Sequence, residues 1–329
     1  NPNAVGTSPR DAHRNRAVTD LLEPGSTMKP LTVAAGLEAG AITADSLFNT
    51  HPGWIANGKY RTTDTHNYGV LDTTGVIRKS SNIGAALIAR RLSDAQFDAF
   101  LRRFGYGRVT GSGFPGEAAG LFPTPDRWSG TTKQTMSYGY GLNATPLQIA
   151  TAYAALGNGG LLHQPSFVKG QHATPRQVLD PKIAAEVLRM MQTVTEPGGT
   201  ATQAAILGYH VAGKTGTSRK ASAGGYSRRY IGYFAGLVPV EKPRFAMVVA
   251  VNDPTKGSYY GGIVSGPVFR NVMEGALRMM DVSPDNLDAW LAAQAAAEAK
   301  RAKAAGHPVP VTAMADAGTT PAPAAGALQ

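Results

Sequence analysis

The sequence predicts an α+β fold organised around a three-stranded antiparallel meander. Three observations carry that prediction. The segments Tyr209–Thr217, Tyr230–Val238 and Phe245–Asn252 are rich in aromatic and β-branched residues, the composition of half-buried strands. The link Pro239-Val240-Glu241-Lys242-Pro243-Arg244 reads as a hairpin turn between the last two. The chain before this region shows helical periodicity instead, and Gly262–Met280 after it is an apolar helix placed to pack on a sheet face.

Taken in order, residues 1–24 are polar and loop-like until Val18-Thr19-Asp20-Leu21-Leu22. A helix starts at about Ser26 and stops at Gly40. Residues 41–71 read as loop and short strand, with turn signals at Pro52-Gly53 and Asn57-Gly58. Asp72-Thr73-Thr74 caps a short helix that leads to Lys79-Ser80-Ser81-Asn82. Ile83–Leu92 and Asp94–Phe104 are helical patterns, the second closed by Gly105. Residues 105–130 carry many Gly and Pro and read as surface loop. Thr145-Pro146-Leu147-Gln148 is a capping box with proline at the first helical position, so a helix runs to about Leu156. Asp180-Pro181 opens another to about Val194, and Thr200–Leu207 reads as a short third. Asp285–Ala304 is Ala-rich and helical by propensity. From Gly306 the composition collapses to Ala, Pro, Thr and Gly, too poor in apolar surface to order itself. The expected organisation is thus a domain over 1–285, a helical extension over 286–304 and a disordered tail over 305–329.

Composition narrows the function classes. With 43% apolar and only 16% charged residues in 329, the chain can bury a sizeable core. The net charge is +10, but Lys and Arg are scattered; the densest cluster, Arg219-Lys220 with Arg228-Arg229, has no nucleic-acid-binding pattern around it. The charge reads as solubility and mild steering. The absence of cysteine excludes disulfides, thiolate catalysis and thiolate-held metals. No apolar run approaches the roughly 20 residues of a membrane span. The chain opens Asn1-Pro2-Asn3, with neither a signal peptide nor an initiator Met, as a fragment would.

Three short signals occur in order: Ser26-Thr27-Met28-Lys29, Ser80-Ser81-Asn82 and Lys214-Thr215-Gly216-Thr217. Each is weak alone; their order and placement are informative. The first opens a helix, the second lies between helices, and the third lies on a predicted strand. A serine nucleophile needs an adjacent base, and Lys29, one turn from Ser26, serves if burial or a second cation lowers its pKa. Ser80 can relay a proton to a leaving nitrogen. Lys214 supplies the second cation and attracts a substrate carboxylate, to which Thr215 and Thr217 can donate. Asn82 can bind a substrate amide or steady the lysine. The backbone N–H groups of Ser26 and Thr217 are candidates for an oxyanion hole. A strand at a cleft edge, here Lys214-Thr215-Gly216-Thr217, can also pair with an extended peptide.

A rival reading uses some of the same residues. Gly208-Tyr209-His210-Val211-Ala212-Gly213-Lys214-Thr215 matches the G-x-x-x-x-G-K-T pattern of a P-loop NTPase, and Met247–Asp253 resembles its second strand motif. A P-loop needs a helix beginning at the Lys-Thr pair, whereas Gly216 follows at once and Thr217–Ser227 has no helical period. No serine stands in G-x-S-x-G, no H-E-x-x-H occurs, and no two of the seven histidines are spaced as a local metal pair. His66 and His210 read as packing or hydrogen-bonding residues.

The trio is the set found in penicillin-binding proteins and class A β-lactamases. The chain resembles the transpeptidase domain of class B penicillin-binding proteins, of the septal cell-division type, over roughly residues 1–285. Glu23–Pro30, Lys79–Gly84, Ser137–Gln148, Val194–Ala201, Val211–Thr217 and Tyr259–Gly262 carry the likeness. The Ser-Ser-Asn and Tyr-Gly-Tyr-Gly forms resemble the division branch more than the elongation branch.

The resemblance implies a fold with helices on both faces of the sheet and an all-helical subdomain. It implies D,D-transpeptidation without cofactor or metal. Ser26 would attack the D-Ala-D-Ala end of a peptidoglycan stem peptide, release D-Ala, and pass the acyl group to an amine on a neighbouring stem. β-Lactams would trap Ser26 as a slow ester, and Tyr259 and Tyr260 would form an aromatic wall over the ligand. The implied setting is the periplasmic face of a bacterial inner membrane, with division-complex membrane proteins, including a septal glycan polymerase, as partners. It further implies a membrane anchor, a pedestal domain and the first strands of the sheet before Asn1. Without those strands an edge and a core face would lie open, and the isolated piece would be poorly stable or inactive. A class A β-lactamase would need a deacylating carboxylate, for which only Glu117 and Glu186 lie near the right region. A β-lactam receptor would need a transmembrane partner segment.

Overall fold

The computed structural model describes residues 6–304 apart from 8, 172 and 223–224. The expected disordered tail lies outside the described residues. The helices are α1 (Arg16–Thr19), α2 (Lys29–Glu38), α3 (Thr73–Arg78), α4 (Asn82–Arg90), α5 (Asp94–Arg103), α6 (Thr132–Met136), α7 (Pro146–Gly157), α8 (Pro181–Gln192), α9 (Gly261–Val264), α10 (Gly266–Met279) and α11 (Leu287–Ala304). The strands are β1 (Phe48–Asn49), β2 (Trp54–Asn57), β3 (Tyr60–Thr63), β4 (Val70–Leu71), β5 (Leu161–Leu162), β6 (Arg176–Gln177), β7 (Ala212–Ser222), β8 (Gly225–Val238) and β9 (Phe245–Asn252). Residues 1–286 form one compact unit and 287–329 a second, of which α11 is the described part.

The predicted meander is the main sheet, with β7 antiparallel to β8 and β8 antiparallel to β9. Lys214 pairs with Ala235 and Thr217 with Gly232. Helices cover both faces. Leu237 packs on Gly157 of α7, while Phe234, three residues back and on the opposite face, meets Phe269 of α10 edge-on at 4.8 Å. No strand pairs with the outer edge of β7 or of β9 among the described residues.

The helical part is built around α2. Every residue from Lys29 to Gly36 is buried, so α2 is a central helix rather than an amphipathic surface one. Helices α4, α5 and α8 pack on it. The capping signals place their helices: Asp72 accepts from Gly75 N–H, Thr145 and Gln148 close a reciprocal box, and Asp180 accepts from Lys182 N–H.

Four expectations need correction. The first helix does not begin at Ser26: Gly25–Met28 is a 3-10 turn and the α-helix begins at Lys29. Thr200–Leu207 keeps only a 3-10 turn over Thr202–Ala204. Its start is tied elsewhere, since Ala201 N–H donates to Val194 O and Thr200 Oγ1 bonds Thr215 Oγ1. Gly262–Met280 is two helices, broken at Ser265, whose hydroxyl donates to Gly232 O of β8. The β7–β8 hairpin extends through polar residues well past the predicted strand ends, with a bulge between Arg219 and Ala221.

Candidate active site

The 3-10 geometry of Gly25–Met28 matters for the first signal. With three residues per turn, positions i and i+3 eclipse, and Lys29 follows Ser26 by three. Lys29 Nζ lies 2.9 Å from Ser26 Oγ. The turn is held from behind by the Tyr138–Gly141 segment. Gly25 N–H donates to Gly139 O, and Gly139, at φ +88°, passes so close that a β-carbon there would sit 2.0 Å from Gly25 O. Only glycine fits. Glu23 ties the same segments: it accepts from Gly141 N–H and from the Tyr226 hydroxyl of β8.

The second signal sits at the junction of α3 and α4. Ser81 N–H reaches back to Val76 O, a helix-terminating pattern in which glycine is the usual left-handed residue. Here Ser80 occupies that place at φ 59°. A non-glycine residue in this region costs about 1–3 kcal/mol. The strained backbone delivers two groups to Lys29 Nζ: the Ser80 carbonyl oxygen at 2.5 Å and Ser80 Oγ at 3.2 Å. Asn82 Oδ1 accepts from the same Nζ at 2.7 Å, while Asn82 Nδ2 donates to Thr63 O, which fixes the amide orientation.

The third signal lies on β7. Lys214 Nζ donates to Ser80 Oγ at 2.8 Å and also bonds Thr215 O and Oγ1. Thr217 Oγ1 accepts from Gly261 N–H. The Thr217 backbone nitrogen lies beside the Gly25–Met28 turn, 3.8 Å from where a Gly25 β-carbon would stand. Ser26, Ser80, Asn82, Thr215, Gly216 and Thr217 all line one cleft of about 530 Å³. Tyr260 lines it too, whereas Tyr259 does not. Tyr259 is sandwiched between Tyr260 and Tyr230 at 4.7 and 4.1 Å and backs the wall.

Both lysines are fully buried, at 0% exposure. Burial lowers Lys29 from its ordinary 10.5 to about 7, and the Asp64 carboxylate opposes that drop. Lys214 is pushed well below the lysine range, first by burial and then by the charge on Lys29. The sequence offered burial or a second cation as the agent that lowers Lys29. Burial is the larger cause for both lysines, and the repulsion between the two ammonium groups works in the same direction.

Residues 1–274 match the family model described as the penicillin binding protein transpeptidase domain. The chain belongs to this penicillin-binding protein transpeptidase family. Over 289 residues it is 44% identical to the peptidoglycan D,D-transpeptidase FtsI of Escherichia coli strain K12, covering 87% of this chain and 49% of that protein. It is 42% identical over 286 residues to the probable peptidoglycan D,D-transpeptidase PenA of Neisseria flavescens, covering 86% and 71% respectively. The solved TP domain of Burkholderia pseudomallei penicillin-binding protein 3 superposes with a TM-score of 0.79 at 38% identity, covering 83% of this chain and 84% of that one. The chain spans about half the length of the E. coli relative.

The cleft does not favour the rival readings. Lys214 and Thr215 lie inside a strand, so no helix N-terminus faces a phosphate, and Asp253 pairs with Arg229 and Lys220. Among the described residues lining the cleft there is no carboxylate. Glu117, a β-lactamase candidate, instead accepts from Thr110 and Ser112 in its own loop. His66 lines the cleft, with Nδ1 near Thr65 Oγ1, and His210 sits beside Asp285.

Sequence reasoning missed three contributors. Thr200 lines the cleft beside Thr215, brought there by the turn Val194–Ala201. Tyr140 lines it and donates to Thr217 O. Asp64 supports the second signal from outside any motif. The first two lie in stretches that carry the family likeness; nothing in the local sequence marks the third.

Proposed function

We propose that this chain is the catalytic part of a peptidoglycan D,D-transpeptidase acting through an acyl-enzyme on Ser26. The observation that carries the reading is the set of partners around Lys29 Nζ. Two of them, Ser80 O and Asn82 Oδ1, can only accept. A neutral lysine has two protons and one lone pair. Both protons are taken by those acceptors, so the lone pair is left for a hydroxyl, and that of Ser26 at 2.9 Å is nearer than that of Ser80 at 3.2 Å. Burial, by lowering Lys29 to about 7, makes that neutral form accessible at physiological pH.

The reaction follows from this arrangement. Ser26 Oγ attacks the carbonyl carbon of the penultimate D-Ala and its proton passes to Lys29 Nζ. The oxyanion is received by the backbone N–H groups of Ser26 and Thr217. The C–N bond breaks, and the leaving D-Ala nitrogen takes a proton from Ser80 Oγ, which is resupplied by Lys29 with the proton taken from Ser26. Thr215 and Thr217 hold the terminal carboxylate, with Lys214 buried behind them, and Gly216 lets the substrate backbone lie against β7. Tyr260, backed by Tyr259, closes the wall. An amine of a second stem peptide then attacks the ester, releases Ser26 and forms the cross-link. A β-lactam presents the same amide in a ring, so its leaving nitrogen stays tethered and the ester persists.

The Ser-Ser-Asn and Tyr-Gly-Tyr-Gly forms support a role in septal wall synthesis, at the periplasmic face of the inner membrane, beside division-complex membrane proteins that include a septal glycan polymerase. Among the described residues no helix is long and apolar enough to cross a membrane. A fluorescent penicillin tests the reading. Stable labelling that disappears in Ser26→Ala supports it; rapid release of hydrolysed drug would favour a β-lactamase instead.

A further inference from the structure

Asp64 lies just after β3, at the head of the segment whose Thr65, His66 and Tyr68 line the cleft. Its carboxylate collects three donors from the start of α4. Oδ2 accepts from Ser81 Oγ at 2.6 Å; Oδ1 accepts from the backbone N–H of Asn82 at 2.5 Å and of Ile83 at 3.2 Å. Its own N–H donates to Gly53 O, which anchors it from behind. The neighbouring Thr63 carbonyl takes Asn82 Nδ2. Asn82 is therefore gripped at its backbone and at its side chain by two consecutive residues, and its free Oδ1 is left aimed at Lys29 Nζ. Ser80, strained at φ 59°, immediately precedes the gripped turn.

We propose that Asp64 is a positioning residue for the acylation step, which clamps Ser80–Asn82 onto Lys29 and sets the field in which Lys29 acts as base. The inference rests on the reading of Lys29 as that base. Lys29 is faced by Ser26 from its own turn, by Ser80 and Asn82 from the α3–α4 junction, by Lys214 from β7 and by Asp64 from the segment after β3. Lys214 and Asp64 are the charged groups in that set, and they act in opposite senses. A carboxylate favours the ammonium form of Lys29, so Asp64 keeps Lys29 from losing its proton at still lower pH. Asp64 thus matches the base to neutral pH while its hydrogen bonds fix the geometry.

The test is the pH dependence of Ser26 acylation by a penicillin, measured between about pH 5 and 9 on the wild type, Asp64→Asn and Ser81→Ala. Asn keeps the capacity to accept from the α4 backbone but removes the charge. Lys29 then becomes neutral at lower pH, and the acid limb of the rate profile moves down by at least roughly half a pH unit. Ser81→Ala removes one clamp donor and keeps the charge, so its limb stays in place while the rate falls several-fold at every pH. An Asp64→Asn limb that coincides with the wild-type limb would overturn the proposal, because a merely structural clamp lowers rate without shifting titration. A wild-type profile with no acid limb near pH 7 would instead overturn the Lys29 reading, and this proposal with it. Should Asp64→Asn fail to fold, a Ser81→Ala rate equal to wild type would equally overturn the clamp.

Discussion

Ser80 places strain and chemistry on one residue, and the two can be separated. Its left-handed backbone at φ 59° costs about 1–3 kcal/mol for any residue with a β-carbon. Its hydroxyl bridges Lys29 and Lys214. Ser80→Gly and Ser80→Ala both delete that hydroxyl, so both should slow acylation by roughly 10²–10⁴-fold, the range for a positioned proton-transfer group. They differ in the backbone. Glycine accepts φ 59° freely, at the cost of about 0.5–1 kcal/mol of extra chain entropy in the unfolded state, whereas alanine keeps the strain. The glycine variant should therefore be the more stable of the two by about 1 kcal/mol, which is a gap of roughly 1.5–2 °C in a thermal melt of a unit this size. The assay pairs thermal unfolding with the rate of penicillin labelling. Equal melting temperatures would show that Ser80 is not strained in solution. Labelling by Ser80→Ala at wild-type rate would remove the hydroxyl from the proton path.

The other perturbations are simpler. Burial holds Lys29 near 7 when folded, against 10.5 in the free side chain, so the unfolded chain binds an extra proton between those values and stability should rise with pH across that window; chemical denaturation at pH 7 and 9 should show a smaller rise in Lys29→Met, and an unchanged rise would contradict the shift. Burial raises the Glu23 pKa, so its folding contribution is complete below the unfolded carboxylate range and declines as pH climbs through the folded value. Glu23→Gln, which can still meet Gly141 N–H and Tyr226, should melt higher than wild type at pH 7; a lower melt would mean that the charge itself is needed. Gly139→Ala drives a β-carbon into Gly25 O and should cost about 2–4 kcal/mol together with penicillin labelling. Gly160→Ala, which meets Leu179 O equally closely but lies outside the lining of the cleft, should destabilise comparably while the folded fraction still labels.

Local signals in the chain located the elements well where a side chain caps its own helix. Asp72, Thr145 with Gln148, and Asp180 all cap where their sequence context predicts. The meander was legible because aromatic and β-branched residues concentrate in its core-facing part. The outer half of the β7–β8 hairpin was not, because Arg219–Ser222 and Gly225–Arg229 carry few apolar side chains and are held by ladder bonds to each other. Breaks imposed by distant partners were also hidden. Nothing near Ser265 announces that its hydroxyl will bond Gly232, and nothing near Thr200 announces Thr215. Within the site, the order of the three signals pointed to Ser26, Lys29, Ser80, Asn82 and Lys214 together. Asp64 could not be found that way, because its meaning depends on the α4 N-terminus folding back onto it from 17–19 residues away.

Acylation of Ser26 with neutral Lys29 as its base makes a specific demand on where a penicillin attaches. Mass analysis of the intact chain and of its proteolytic peptides after incubation with penicillin at pH 7 tests it most directly. One added drug mass is expected on the peptide that carries Ser26, and no adduct in Ser26→Ala or Lys29→Met variants that remain folded. An adduct on another residue, or an undiminished adduct in folded Lys29→Met, would contradict it.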